Sequence, residues 1–220
     1  MRNEYKLLIF DWDGTLVDSI GRIVTAMQVA AQRAGRPERD AESVKGIIGL
    51  GLPEAILTLY PDMADEQVKA FRQHYADVYI DLDAEPSPLF AGVMEALQAF
   101  RAEGYHLAVA TGKARRGLDR VLKAHGLEDF FDVTKAADET ASKPDPLMLN
   151  QILAHCKVSP AEALMVGDAS FDLLMARNAG IDSVAVGYGA QSMERLLAFE
   201  PCLAIHSFPE LRAWLGQPVN

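Results

Sequence analysis

The stretch Lys6-Leu7-Leu8-Ile9-Phe10-Asp11-Trp12-Asp13-Gly14-Thr15 decides how the rest of the chain is read. Lys6–Asp11 predicts a short buried strand that ends on an acidic residue, and Asp13-Gly14-Thr15 supplies a turn immediately afterwards. Two carboxylates one residue apart at a strand end have two readings. One is a turn that begins with aspartate. The other needs both groups: one as nucleophile or metal ligand, its neighbour as acid and base.

Outward from this strand the pattern turns helical. Ile20, Ile23, Val24, Met27 and Ala31 share one face of a helix over Ser19–Ala34, which Gly35-Arg36-Pro37 ends. Further helices are expected at Ala41–Val44, at Leu52–Tyr60 with Pro53 in its first turn, and at Asp65–Tyr79. No strand pattern occurs before the linker Glu85-Pro86-Ser87-Pro88.

From Gly92 onward helix and strand alternate. Strands are expected at His106–Thr111, Phe131–Ala136, Ala163–Asp168, Ser183–Gly187 and Leu203–His206, with helices between them and a last one at Phe208–Leu215. Several of these strands are nearly all apolar, as when both sheet faces are covered. The expectation is an α/β fold: a Rossmann-like, doubly wound parallel sheet from residues 1–16 and 89–220, with an all-helical domain inserted over 17–88. In such sheets ligands sit beyond the carboxyl ends of the strands.

The strand ends carry the polar residues of interest. Thr111 closes HLAVAT and is followed by Gly112 and Lys113, which reads either as a helix cap or as a phosphate cradle. Lys143 precedes Pro144-Asp145-Pro146, so it is either a solvated surface lysine or an ammonium held near a phosphate. Asp168 and Asp172 follow ALMVG. Helix capping accounts for Asp168 and leaves Asp172 unexplained, whereas a cation between them accounts for both. Magnesium prefers oxygen ligands of this kind, with phosphate completing its shell.

The 220 residues carry a net charge of -10, from 31 acidic and 21 basic side chains. That surface repels nucleic acid and anionic membranes at long range, yet a local lysine and a cation reverse the sign inside a pocket. Cys156 and Cys202 have no paired spacing and read as free thiols in a reducing compartment. His74, His106, His125, His155 and His206 are scattered, without metal spacing. The N-terminus has too short an apolar run for a signal sequence, and no stretch is long enough to span a bilayer. A cytoplasmic monomer or homodimer is expected, acting on a small metabolite.

The segments DWDGTLVDS (Asp11–Ser19), ATGK (Ala110–Lys113), KPDP (Lys143–Pro146) and VGDASFD (Val166–Asp172), in this order and spacing, resemble the haloacid dehalogenase-like hydrolases, in the branch that contains phosphoglycolate phosphatases. The resemblance implies a core sheet of order 5-4-1-2-3 with a helical cap inserted after the first strand. It implies Asp11 as the nucleophile that forms an aspartyl-phosphate, and Asp13 as the group that protonates the leaving oxygen and then activates water. Thr111 and Lys143 would hold phosphoryl oxygens, with Gly112 and Lys113 beside them. Magnesium would be ligated by Asp11, the Asp13 carbonyl and Asp168, with Asp172 supporting that shell. Phosphoryl transfer asks for this combination of positioning and charge neutralisation.

Dehalogenases of the family generally lack the second aspartate, which is Asp13 here, and mutase relatives carry a cap histidine where this chain has Ile23. Two positions depart from the phosphatase pattern: Gly112 replaces a common asparagine, and Ala169 replaces a common hydroxyl residue. Both loosen the link to phosphoglycolate itself. Nucleotides, sugar phosphates and pyrophosphate stay open as substrates, as does phosphomutation, and a metabolite-binding regulatory protein is the non-enzyme alternative. Substrate choice is expected in the insertion, where Lys45, Gly49 and Gly51 lie in a glycine-rich loop. That loop reads either as one that reaches the site or as a flexible connector. Phe10, Trp12 and Tyr188 read as core packing or as pocket walls.

Overall fold

The computed structural model describes residues 4–82 and 85–216. The expected outer limits at residues 1 and 220 lie outside that range, as do residues 83–84 within the expected insertion. Strand β1 (Leu7–Phe10) is buried along its whole length and lies in the middle of a six-stranded sheet. It pairs in parallel with β2 (His106–Thr111) on one side and β4 (Ala163–Gly167) on the other. β3 (Val133–Ala136) flanks β2, while β5 (Asp182–Val186) and then β6 (Leu203–Ile205) extend the other edge, all parallel. The order 3-2-1-4-5-6 contains the five-strand order implied by the sequence and adds one edge strand.

The strand period of two sorts β1 between two cores. Leu8 and Phe10 join one apolar cluster with α5 (Val93–Ala102), α6 (Arg115–Ala124) and α10 (Phe208–Leu215). Leu7 and Ile9 join another with α7 (Leu147–Cys156) and α8 (Ser170–Ala179). Burying each such side chain stabilises the fold by about 1.5–3 kcal/mol. Phe10 and Trp12 are fully buried in the first cluster, which settles them as core packing. The expected strand over Phe131–Ala136 forms only from Val133; Phe131 turns into the core instead.

Four helices, α1 (Ile20–Arg33), α2 (Ala41–Lys45), α3 (Leu52–Leu59) and α4 (Asp65–Asp81), pack around a separate cluster that includes Ile23, Met27, Ile56 and Phe71. Ala190, from the loop after β5, is the sheet-side residue in that cluster. The chain leaves the sheet and returns to it side by side. Val17 and Leu89 form an antiparallel bridge, and Asp18 N–H donates to the Pro88 carbonyl over 2.9 Å. No helix of the described residues is long and apolar enough to cross a membrane.

Candidate active site

Parallel pairing sets Phe10 opposite Val109 and Val166, so Asp11 emerges level with the ends of β2 and β4. The Asp11 backbone N–H donates to the Val166 carbonyl over 3.0 Å, which holds it to the last rung of the ladder. The turn that follows uses Gly14 at φ +79°, a conformation that suits glycine. A Cβ at Gly14 would lie 2.1 Å from Asp168 Oδ2, so close approach demands glycine as well.

Lys143, 1% exposed, reaches into this cluster from the loop before α7. Its Nζ donates to Asp11 Oδ1 over 2.7 Å and to Asp172 Oδ1 over 2.6 Å. The surface-lysine reading is thereby replaced. Burial disfavours the Lys143 ammonium, but Asp11 and Asp172 outweigh it and hold its pKa above the ordinary value.

Asp11, Asp168 and Asp172 offer oxygens that all lie within 4.8 Å of one another. Asp168 accepts from the Thr15 hydroxyl over 3.0 Å and from Ala190 N–H over 2.6 Å. Asp172 caps α8, its Oδ2 accepting from Ala169 N–H over 3.1 Å. The capping role read for Asp168 therefore falls on Asp172. Burial, with Asp11 and Asp172 close by, drives the Asp168 carboxyl well above the usual carboxylate range. Burial also lifts Asp11, to about 7, against the opposing pull of Lys143. Lys143 pairs with two of these three buried carboxylates, and the excess negative charge suits a bound cation. Gly14 and Gly189 leave no room for a Cβ against Asp168, so backbone closes around the cluster from two sides.

Asp13 sits beside this cluster with different partners. Its Oδ1 accepts from the Ser19 hydroxyl over 2.6 Å, and Lys113 Nζ lies 3.0 Å from Oδ2. Ser19 precedes α1 in the N-cap position, yet its hydroxyl goes to Asp13 and not to the helix. Lys113 also stacks on the Tyr79 ring, 4.8 Å from its centroid, with Arg120 5.4 Å from the same ring. Tyr79 belongs to α4, so the helical unit reaches the acidic turn. Thr111 is fully buried at the end of β2, and its Oγ1 accepts from Lys113 N–H over 3.2 Å.

The structure thus gathers Asp11, Lys143, Asp168 and Asp172, with Asp13 and Lys113 alongside. Lys45 Nζ pairs with Glu42 over 2.8 Å. Gly49 and Gly51 come to this cluster, against Ala169 and Ser142. Sequence reading missed Thr15, Ser19, Ser142, Tyr79, Arg120 and the Gly189-Ala190 backbone. Of these, Tyr79 carries a pattern visible in sequence, an i,i+4 pair with Tyr75 on α4 whose ring centroids lie 5.8 Å apart, though the pattern does not reveal what the pair touches. Tyr188 packs on Phe90 and donates to the Thr15 carbonyl over 3.0 Å, bracing the turn.

Known proteins resemble this chain over most of its length. The family described as haloacid dehalogenase-like hydrolase matches residues 8–186. The probable phosphatase IndB of Dickeya dadantii is 37% identical over 211 residues, covering 93% of this chain and 91% of that protein. A phosphoglycolate phosphatase of Vibrio vulnificus is 34% identical and covers 96% of both chains. Among solved structures, a haloacid dehalogenase-like family hydrolase from Streptococcus pneumoniae superposes with a TM-score of 0.82 at 26% identity, covering 96% of this chain and 98% of that one.

Proposed function

The chain belongs to the haloacid dehalogenase-like hydrolases, and on that premise we propose a magnesium-dependent phosphatase that hydrolyses a small phosphomonoester through an aspartyl-phosphate on Asp11. One observation carries the reading: Lys143 bridges Asp11 and Asp172 at 2.7 and 2.6 Å, at the point where the sheet order reverses around β1. A nucleophilic carboxylate fixed by a buried ammonium, with a threonine hydroxyl one strand away, suits phosphoryl transfer.

In this mechanism Lys143 holds one Asp11 oxygen and the carboxylate attacks phosphorus. The bond from phosphorus to the ester oxygen breaks, and Asp13 gives that oxygen its proton. Asp13 then takes a proton from a water that attacks the phosphorus of the aspartyl-phosphate, which releases inorganic phosphate and regenerates Asp11. Thr111 and the backbone N–H of Gly112 hold phosphoryl oxygens with Lys113 beside them, and Ser19 keeps Asp13 oriented. Asp11, Asp168 and the Asp13 carbonyl would hold the magnesium ion, with Asp172 behind them. The ion supplies charge neutralisation for an anionic phosphate among carboxylates. Residues 17–88 act as a cap that closes over the site and excludes water.

Phosphoglycolate is the leading substrate; nucleotides, sugar phosphates and pyrophosphate are its rivals. Phosphate release with magnesium across a panel of these compounds, compared by kcat/KM, tests the proposal. One ester far above the rest supports a discriminating phosphatase. Release from none contradicts hydrolysis and favours a mutase or a metabolite-binding protein.

A further inference from the structure

The two departures from the phosphatase motifs, Gly112 and Ala169, meet at one place. Both lie under the loop between α2 and α3. A Cβ built on Gly112 would lie 2.5 Å from the Leu50 carbonyl oxygen and 2.6 Å from that of Gly49. Real Cβ atoms do not approach backbone that closely, so the loop rests where an alanine or asparagine side chain would start. Gly112 has no positive φ, so the glycine provides space and not an unusual backbone angle. On the other side, a Cβ at Gly49 would lie 3.3 Å from the Ala169 Cβ and 3.5 Å from the Phe171 ring. A third contact fixes the loop's end: Gly51 N–H donates to the Ser142 hydroxyl over 2.8 Å, next to Lys143.

The loop therefore touches the residue after Thr111, the residue before Lys143 and the residue after Asp168. These are three of the four segments that build the phosphoryl site. We infer that Gly112, Ala169 and Ser142 form a fitted seat for the loop Gly46–Gly51, and that the depth of this seat sets the size of leaving group the enzyme accepts. The inference rests on the phosphatase reading for its substrates, and on geometry alone for the seat. With the loop seated, peptide groups of Gly49 and Leu50 occupy the space beside the phosphate cradle. A short leaving group fits under them; a hexose or nucleoside forces the loop off Gly112. Ala169 and Ser142 are positioning residues, because they act through the loop; Gly112 does so through its missing side chain, apart from the N–H it turns to the phosphoryl group.

The test compares wild type, Gly112→Ala and Ser142→Ala. The first adds bulk beneath the loop; the second removes the bond from Gly51 N–H and the weaker one that the Ser142 hydroxyl donates to the Lys143 carbonyl over 3.3 Å, and adds none. For each, kcat/KM is measured with 2-phosphoglycolate and with glucose 6-phosphate, and hydrogen exchange is followed at the Gly51 amide. The expected result is a kcat/KM ratio, small ester over large, that falls about tenfold or more in Gly112→Ala and less in Ser142→Ala. The loss should appear chiefly in KM for the small ester, with faster Gly51 exchange in both variants. Equal losses on both esters would overturn the inference, since that is what damage to the phosphate cradle alone produces. Unchanged exchange at Gly51 would overturn it as well. A wild type inert on every ester contradicts the phosphatase reading instead, and the exchange measurement still decides the seat. If Gly112→Ala does not fold, Ser142→Ala carries the same pair of readouts.

Discussion

Lys143 is the residue on which the site's electrostatics turn. Its ammonium joins two of three buried carboxylates, so its loss leaves like charges facing each other in a buried site. Lys143→Met should abolish phosphate release and destabilise the metal-free protein by about 3–5 kcal/mol at pH 8, measured by denaturant titration. The cost should shrink at pH 5, because Asp11, lifted to about 7 chiefly by burial, then carries a proton. The same shift predicts a pH dependence for wild type. A carboxyl whose folded pKa is raised contributes stability that is fully present below its unfolded value of 3.8 and is lost as pH rises toward about 7. Metal-free protein should therefore lose stability between pH 5 and 7, by up to about 1.4 kcal/mol per pH unit for each such group. Surface carboxyls held low, such as Glu139 beside Arg115, act in the opposite sense but at lower pH. Added magnesium should raise the melting temperature more at pH 7.5 than at pH 5. An equal rise at both would contradict the charge account. At this scale the sequence showed that Asp11 and Asp168 close apolar strands, while their turn and cap readings stayed open until the fold set them side by side. The sequence was not legible for Ser19, read only as the first residue of a helix, whose hydroxyl serves Asp13.

Strands and turns deliver these side chains, and the turn after β1 has the least freedom. Gly14 combines φ +79° with contact against Asp168, so Gly14→Ala should strain the backbone by about 1–3 kcal/mol and displace that carboxylate. The expected outcome is weaker magnesium binding by calorimetry together with lower stability. Normal affinity would show that the turn tolerates a side chain. Elements were readable because β1 is wholly apolar and α1 shows a clear 3.6-residue period. The start of β3 was misread, since Phe131 is as apolar as a strand residue and its burial under the core helices is a tertiary matter. The contacts of α4 were also beyond sequence: Tyr79 lies 34 residues from Lys113, and only the fold brings them together.

Across the whole molecule, one chain builds two large apolar clusters on the sheet, a small one of Leu173, Ala185 and Leu196 at β5, and another among the helices α1–α4, with paired crossings at Val17 and Leu89. The alternation after Gly92 and the helical block before it made that arrangement legible. The closeness of the Gly46–Gly51 loop to Gly112 was not, because a glycine in a sequence does not reveal which neighbour fills its space. The central claim is that the phosphoryl group passes through Asp11. Its most direct measurement is rapid acid quench during turnover of 2-phosphoglycolate with magnesium, followed by peptide mapping. The account predicts a phosphorylated peptide containing Asp11, labile to hydroxylamine, and its absence in Asp11→Asn along with a loss of phosphate release of at least about a thousandfold. Steady phosphate release with no phosphorylated protein, or a phosphoryl group on another residue, would contradict it.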